Sequence, residues 1–420
     1  MNPLARAAFI AVGSELLTPT RTDTNSLMVT GHLNALGIEL AFKVVVGDER
    51  DELARALRYA LERVDLVVCS GGLGPTDDDV TREVAAEVLG RSLSEDADIA
   101  ARIESRFTTR GMRMPEINRR QAMVPGGAHV LENAAGTAPG LWLESGDKVV
   151  LLLPGPPREL GPMLVRVAAG PLSERAAGTI LKRRVFRITG RTESHTEEAL
   201  RPAYARWAAA VPPVAATILA SLGQIELHVS ARAAEAAQAD ASLDQAARDV
   251  QAALGLDVYG VDGESLEEVV GRLLAERGLR VAIAESCTGG LLTSRLTDVP
   301  GSSRYVVEAV VAYANEAKVS RLDVSLSTLR EHGAVSEAVA VEMASGIRTR
   351  ARVDLGVGVT GIAGPDGGTT EKPVGTVAVA VAAPSTTLTR TFRFVGGREQ
   401  VKFQASQAAM DMVRRLLLEG

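Results

Sequence analysis

"LRVAIAESCTGGLLTSRL", residues 279–296, decides the fold of the last third of the chain. It opens with an apolar run of the length a buried strand takes, and its last residues resume an apolar spacing suited to a helix. Between the two stand Ser286, Cys287, Thr288, Gly289 and Gly290. This is the βα turn of an α/β domain. The helix start carries unpaired amides and about half a positive charge, which suits a carboxylate, a phosphate or an oxyanion. Gly289 and Gly290 admit a ligand close to the backbone. The same residues also fit a plainer role, with Ser286 or Thr288 capping the helix and the glycines easing its packing on the sheet.

Outward from this turn the rhythm continues. A helix over 264–277 precedes it. "RYVVEAVVAYA" reads as a strand, "SEAVAVEMASGIRTRA" as a helix and "DLGVGVTG" as a strand. "GTVAVAVAA" and "TLTRTFRFV" read as an antiparallel pair, and a helix over 398–419 closes the chain. The first third has the same alternation, from "AAFIAVG" through "DLVVCSGG" to "KVVLLLPGPPREL", and predicts a parallel sheet covered by helices. Around 170–180 the pattern breaks into Gly, Pro and Ala. A β-α-β-β-α module follows, with a Ser194 and Glu197 capping box, a hairpin turning near Gly223 and an Ala-rich helix over about 233–254. The predicted fold class is α/β, with domains at 1–172, 173–260 and 261–420, the middle one a small α+β module that connects or dimerises.

With 420 residues, 46% of them hydrophobic and 23% charged, and a net charge of −6, the chain has an ordinary globular composition and no basic nucleic-acid footprint. Aromatic residues at 3% argue against a base-stacking platform. No segment approaches the ~20 apolar residues of a membrane span, and the start is too soon interrupted for a signal peptide. Cys69 and Cys287 lie far apart, so free thiols in a reducing cytoplasm are expected. Six of the 46 basic residues are lysines, which makes each one worth examining.

Two of these lysines stand beside candidate chemistry. In "PGSSRYVVEAVVAYANEAK", Ser302 and Ser303 precede a strand, Tyr313 ends it and Lys318 follows. A serine activated by a neutral lysine, with a tyrosine relaying the proton, is one reading. It requires lowering the lysine pKa by about three units, a cost of roughly 4 kcal/mol. A solvated lysine in a first helical turn is the other. Gly356, Gly358 and Gly361 spell GxGxxG, but inside a strand, so a dinucleotide site is not expected. "TGIAGPDGG" instead reads as a loop at a strand's end whose amides, with Thr360, line a pocket. Lys372 and Arg398 either bind phosphate or are surface charges. In the first domain, "VVCSGGLGPTDDDVT" puts Gly71, Gly72 and Gly74 in a turn before Asp77, Asp78 and Asp79. Those carboxylates cap a helix, or hold Mg²⁺ or a similar hard cation, with Glu15, Asp23 and Asn25 near the same crevice.

"AESCTGG", "PGSSRYVVEAVVAYANEAK", "HGAVSE", "GIAGPDGGTTEKPVGTV" and the late Gly-Arg resemble, in order and spacing over about 155 residues, the C-terminal domain of the CinA family (competence/damage-inducible protein A), whose members act as nicotinamide mononucleotide deamidases. The resemblance implies hydrolysis of that substrate's carboxamide without a cofactor. It implies Ser303 as nucleophile, Lys318 as base, Tyr313 as relay and Ser286 or its neighbouring amides in the oxyanion region. Thr288, Gly289, Gly290, Thr360, Gly361, Gly364 and Arg398 would bind substrate, Thr360 and Arg398 holding the ribose phosphate. "GGLGPTDDD", "NAAGTAPG" and "LPGPPREL" resemble the molybdopterin-binding fold at the N-terminus of full-length members, and the middle module resembles their KH-like domain. That likeness implies metal-dependent ADP-ribose pyrophosphatase activity, with Gly71, Gly72 and Gly74 on the nucleotide and Asp77, Asp78 and Asp79 on a divalent metal ion. The resulting expectation is a cytoplasmic, homodimeric, bifunctional enzyme of pyridine-nucleotide salvage. A non-catalytic nucleotide sensor in competence or damage response, or a molybdopterin-handling protein, is the alternative.

Overall fold

The computed structural model describes residues 2–221 and 223–419. The chain divides into two compact units, one mainly of residues 1–182 and one mainly of residues 183–420.

In the first unit, β1 (Arg6–Val12), α1 (Asn25–Ala35), β2 (Glu39–Val46), α2 (Arg50–Arg63), β3 (Leu66–Ser70) and α3 (Thr81–Val88) follow the predicted alternation. β4 (Leu93–Glu95), α4 (Ala97–Thr109), β5 (Met123–Pro125), β6 (His129–Leu131), β7 (Gly140–Ser145), β8 (Lys148–Leu153), α5 (Pro157–Val167) and α6 (Ser173–Arg175) complete it. The main sheet runs β2-β1-β3-β8-β7-β6. Its first four strands are parallel. The last two are antiparallel, an extension the simple βα reading lacked. β1, β3 and β8 are buried on both faces between two apolar clusters, which is why they read as continuous apolar runs.

The KH-like module is a four-stranded sheet in the order β10-β11-β9-β12, from β9 (Ile180–Ile188), β10 (Val214–Ser221), β11 (Gln224–Ala233) and β12 (Val258–Val261). Its helices are α7 (Glu193–Ala209) and α8 (Ala236–Leu254). The expected Ser194 and Glu197 box is displaced. Thr192 is the N-cap and accepts from the His195 amide, while Glu197 accepts from the Tyr204 hydroxyl. A reciprocal box does occur at Ser265 and Glu268, at the start of α9 (Leu266–Glu276).

In the last domain β13 (Val281–Glu285) and α10 (Leu291–Thr297) flank the opening turn. β14 (Val306–Val311), α11 (Asn315–Leu322), α12 (Leu326–His332), α13 (Glu337–Ala351), β15 (Leu355–Gly361), β16 (Thr376–Ala382), β17 (Thr387–Arg393) and α14 (Arg398–Glu419) follow. The sheet order is β14-β13-β15-β16-β17, with β13 parallel to both neighbours and the last two strands antiparallel. Along β13 the faces alternate: Val281 and Ile283 join the cluster with α9 and α14, whereas Ala282 and Ala284 pack toward α13. The GxGxxG run has a packing role. A Cβ on Gly356 would lie 2.0 Å from the Ala344 carbonyl oxygen, and one on Gly358 2.3 Å from that of Ala340, so both glycines let α13 rest directly on β15. Among the described residues no helix is long and apolar enough to cross a membrane.

Candidate functional site

Parallel pairing sets Glu285, the last residue of β13, opposite Val311, the last of β14, so the chain leaves both strands at one edge of the sheet. Ser286 begins one exit. The other leads within a few residues to α11, whose first turn carries Lys318. Lys318 is 2% exposed. Its Nζ lies 3.0 Å from Ser286 Oγ, 3.0 Å from the Ala312 carbonyl oxygen and 3.1 Å from that of Tyr313. None of these partners is charged. Burial therefore pushes the lysine pKa below its ordinary value. The carbonyls only accept, so they occupy two amine hydrogens, and in the neutral amine the remaining lone pair is left for the Ser286 hydroxyl proton. A hydroxyl beside a deprotonable amine is the arrangement of a nucleophile with its base. The neighbouring Cys287 thiol is pushed up to about 12 by burial and is a poor nucleophile at neutral pH.

Ser286, and not Ser303, meets Lys318. Ser303 is exposed in a short turn before β14, whereas Lys318 follows the strand's other end. Six strand residues at about 3.3 Å each separate the two by roughly 20 Å, so Ser303 is out of reach. Tyr313 contributes through its carbonyl. The residue is 59% exposed, and its hydroxyl accepts from Arg398 Nη2 at 2.8 Å. Arg398 also donates from Nη1 to the Gly364 carbonyl at 2.8 Å, tying the loop after β15 to the start of α14. Thr360 is buried and donates to the Ala334 carbonyl, so its hydroxyl holds a turn. Gly361 packs where a Cβ would meet Cys287 Sγ at 3.0 Å. Gly289 and Gly290 both have positive φ, at 63° and 93°, which explains the glycine pair. The Gly290 amide is taken by Glu285, so it is not free for an anion. Thr288 is buried, and its hydroxyl is without a partner.

In the first unit, Gly71 follows β3 and donates its amide to the Leu153 carbonyl at the end of β8. Its glycine character answers packing, since a Cβ would lie 2.1 Å from the Val12 carbonyl oxygen. Gly72 and Gly74 are likewise closed off by Thr81 and Asp79. The three aspartates do not converge. Asp77 is fully exposed and 3.6 Å from Arg120 Nη1, Asp78 is exposed, and Asp79 accepts from the Thr76 amide and hydroxyl. Among the described residues no group of three or more His, Cys, Asp or Glu is arranged to hold a metal ion, so the aspartate run does not fit a resident cation. Nearby, Asn25 Nδ2 donates to Ser70 Oγ and the Gly155 carbonyl, which fixes the amide and leaves Oδ1 as an acceptor. Asn25 Oδ1 and Asp23 Oδ2 are buried without partners.

Three domain families match successive parts of the chain. Residues 263–417 match the CinA C-terminal domain, residues 8–174 the probable molybdopterin binding domain and residues 183–260 the damage-inducible protein CinA KH domain. A CinA-like protein of Koribacter versatilis is 44% identical over 98% of this chain and 100% of its own length. The chain belongs to the CinA family. A putative competence-damage inducible protein of Symbiobacterium thermophilum is 47% identical over 98% of this chain and 99% of its own. Among solved structures, the competence/damage inducible protein CihA of Agrobacterium tumefaciens is 40% identical, with a TM-score of 0.36, over 37% of this chain and 96% of that one.

Two residues of this CinA-family site escape a motif-led reading. Glu285, 0% exposed, ends β13 with its carboxylate buried beneath the turn. The available signal was a lone acid closing an apolar run just before a helix start, where negative charge is favoured. Lys402 lies one turn beyond Arg398 on α14, with Nζ 3.6 Å from where a Cβ on Gly289 would stand. Spacing i, i+4 from Arg398 puts both cations on one helix face.

Proposed function

We propose that the last domain hydrolyses the carboxamide of nicotinamide mononucleotide to the carboxylate and ammonia. The observation that carries this reading is the buried Lys318 amine 3.0 Å from Ser286 Oγ among neutral partners. Ser286 Oγ attacks the carboxamide carbon while its proton passes to Lys318 Nζ. The carbonyl oxygen becomes an oxyanion. In the turn after Ser286, no other described residue accepts from the amides of Cys287 and Thr288, whereas those from Gly289 to Ser294 are taken, so these two are the donors offered to it. Lys318 returns the proton to the departing nitrogen, ammonia leaves, and an acyl-serine remains. Water, deprotonated by the same amine, then releases the carboxylate. Arg398 and Lys402 supply positive charge for the substrate phosphate. Ammonia release from nicotinamide mononucleotide tests the reading: Ser286→Ala is expected to lose about 1000-fold or more in kcat. Near-normal turnover by that variant would sink it.

For the first domain, the buried unpartnered oxygens of Asp23 and Asn25 favour a second reading: a crevice that binds a cationic or hydrogen-donating group of a nucleotide, with ADP-ribose hydrolysis as its activity. Asn25→Ala is expected to abolish that hydrolysis, measured as AMP formed, and full retention argues against the crevice.

A further inference from the structure

We propose that Glu285 is the positioning residue of the Ser286 and Lys318 centre, allotting the amides of the following turn so that only those of Cys287 and Thr288 stay open. This inference rests on the amidase reading. A buried carboxylate is costly unless hydrogen-bonded. Glu285 Oε2 accepts from the Gly290 amide at 2.9 Å and the Leu292 amide at 3.2 Å; Oε1 accepts from the Thr293 amide at 2.9 Å and the Thr293 hydroxyl at 2.6 Å. Four donors fill the roughly four lone-pair sites of a carboxylate, leaving it no capacity to act on Ser286 or a substrate.

Apart from Cys287 and Thr288, the other amides of the turn are paired within it. Gly289 donates to the Ser286 carbonyl, Leu291 to that of Thr288 and Ser294 to that of Gly290. The protein's own acid thus fills the positive end of α10, and the amides at that end are closed to a substrate anion. The Glu285 main chain is tied as well. Its carbonyl accepts from the Ala312 amide at 2.8 Å, and the Ala312 carbonyl is one of the two that hold Lys318 Nζ. One residue therefore fixes the Ser286 turn through its side chain and the Lys318 cradle through its backbone.

Glu285→Gln replaces one accepting oxygen with an NH₂ group that faces two donors, so two contacts become repulsive and the turn is released. In the full-length protein, the variant is expected to lower kcat for ammonia release about 100-fold with KM within about threefold, the scale of losing one oxyanion donor. The acid limb of the pH profile, set by Lys318, is expected to stay in place. Independently of any amide substrate, the rate at which a fluorophosphonate labels Ser286 is expected to fall by a similar factor. Wild-type labelling at Ser286 without ammonia release would overturn the amidase reading while still testing Glu285 by labelling. Unchanged labelling and turnover in Glu285→Gln, or a lower Tm with both rates intact, would overturn the positioning role. Should Glu285→Gln fail to fold, Thr293→Val removes only the hydroxyl contact and is expected to slow labelling several-fold; an unchanged rate there is equally fatal.

Discussion

At the scale of single residues, the decisive quantity is the protonation of Lys318. Its cradle of two carbonyls and one hydroxyl contains no carboxylate to stabilise the ammonium, and burial disfavours the charge. Activity is therefore expected to rise with pH along a limb whose midpoint lies below the ordinary lysine value, read from kcat/KM between pH 5 and 10. Lys318→Arg, which cannot deprotonate, is expected to be inactive at every pH in that range. Stability carries the same signature. Between the lowered folded pKa and the unfolded value the unfolded chain binds more protons, so stability rises with pH through that window. Lys318→Met is expected to abolish that rise in urea titrations at successive pH values. Cys287 gives the contrasting case. With its thiol at about 12, iodoacetamide at pH 7.5 is expected to leave turnover intact, and rapid inactivation would assign the thiol a role.

At the scale of elements, the site follows from where strands end. β13 and β14 are parallel and end opposite each other at Glu285 and Val311, so their exits deliver Ser286 and the approach to Lys318 to the same edge. The sequence displayed the strand, the turn and the helix around residue 286, because a period change across hydroxyls and glycines is a local signal. It did not display which serine meets the lysine. That choice depends on strand direction: Ser303 enters β14 and Lys318 follows its exit, although both lie in one motif. The Ser194 capping box failed for a related reason. Thr192, two residues earlier, presents the same chemistry, and only the helix start separates them. The GxGxxG run was legible as a strand, but its cause, the contact of α13 on β15, is tertiary. Gly358→Ala is expected to destabilise by about 1–3 kcal/mol, measured by chemical denaturation, because its Cβ meets backbone that cannot move aside.

For the whole molecule, each α/β domain places candidate chemistry at the exits of its parallel strands, where open α/β sheets bind ligands. The two places differ in chemistry. That of the last domain holds a hydroxyl and an amine, both organic groups that move protons unaided, whereas that of the first offers the unpartnered oxygens of Asp23 and Asn25, a set that suits a cationic or donating ligand. The alternation of strands and helices made both domains legible and put Asp23 and Asn25 at a strand–helix junction, but the run of three aspartates does not gather, since adjacent carboxylates in a loop need not face one point. If the chemistry is divided in this way, a substitution in the first domain separates the activities. Asn25→Ala is expected to leave ammonia release unchanged while abolishing ADP-ribose hydrolysis, and EDTA is expected to leave ammonia release unchanged. Loss of ammonia release in either experiment would mean that the Ser286 and Lys318 pair does not act alone.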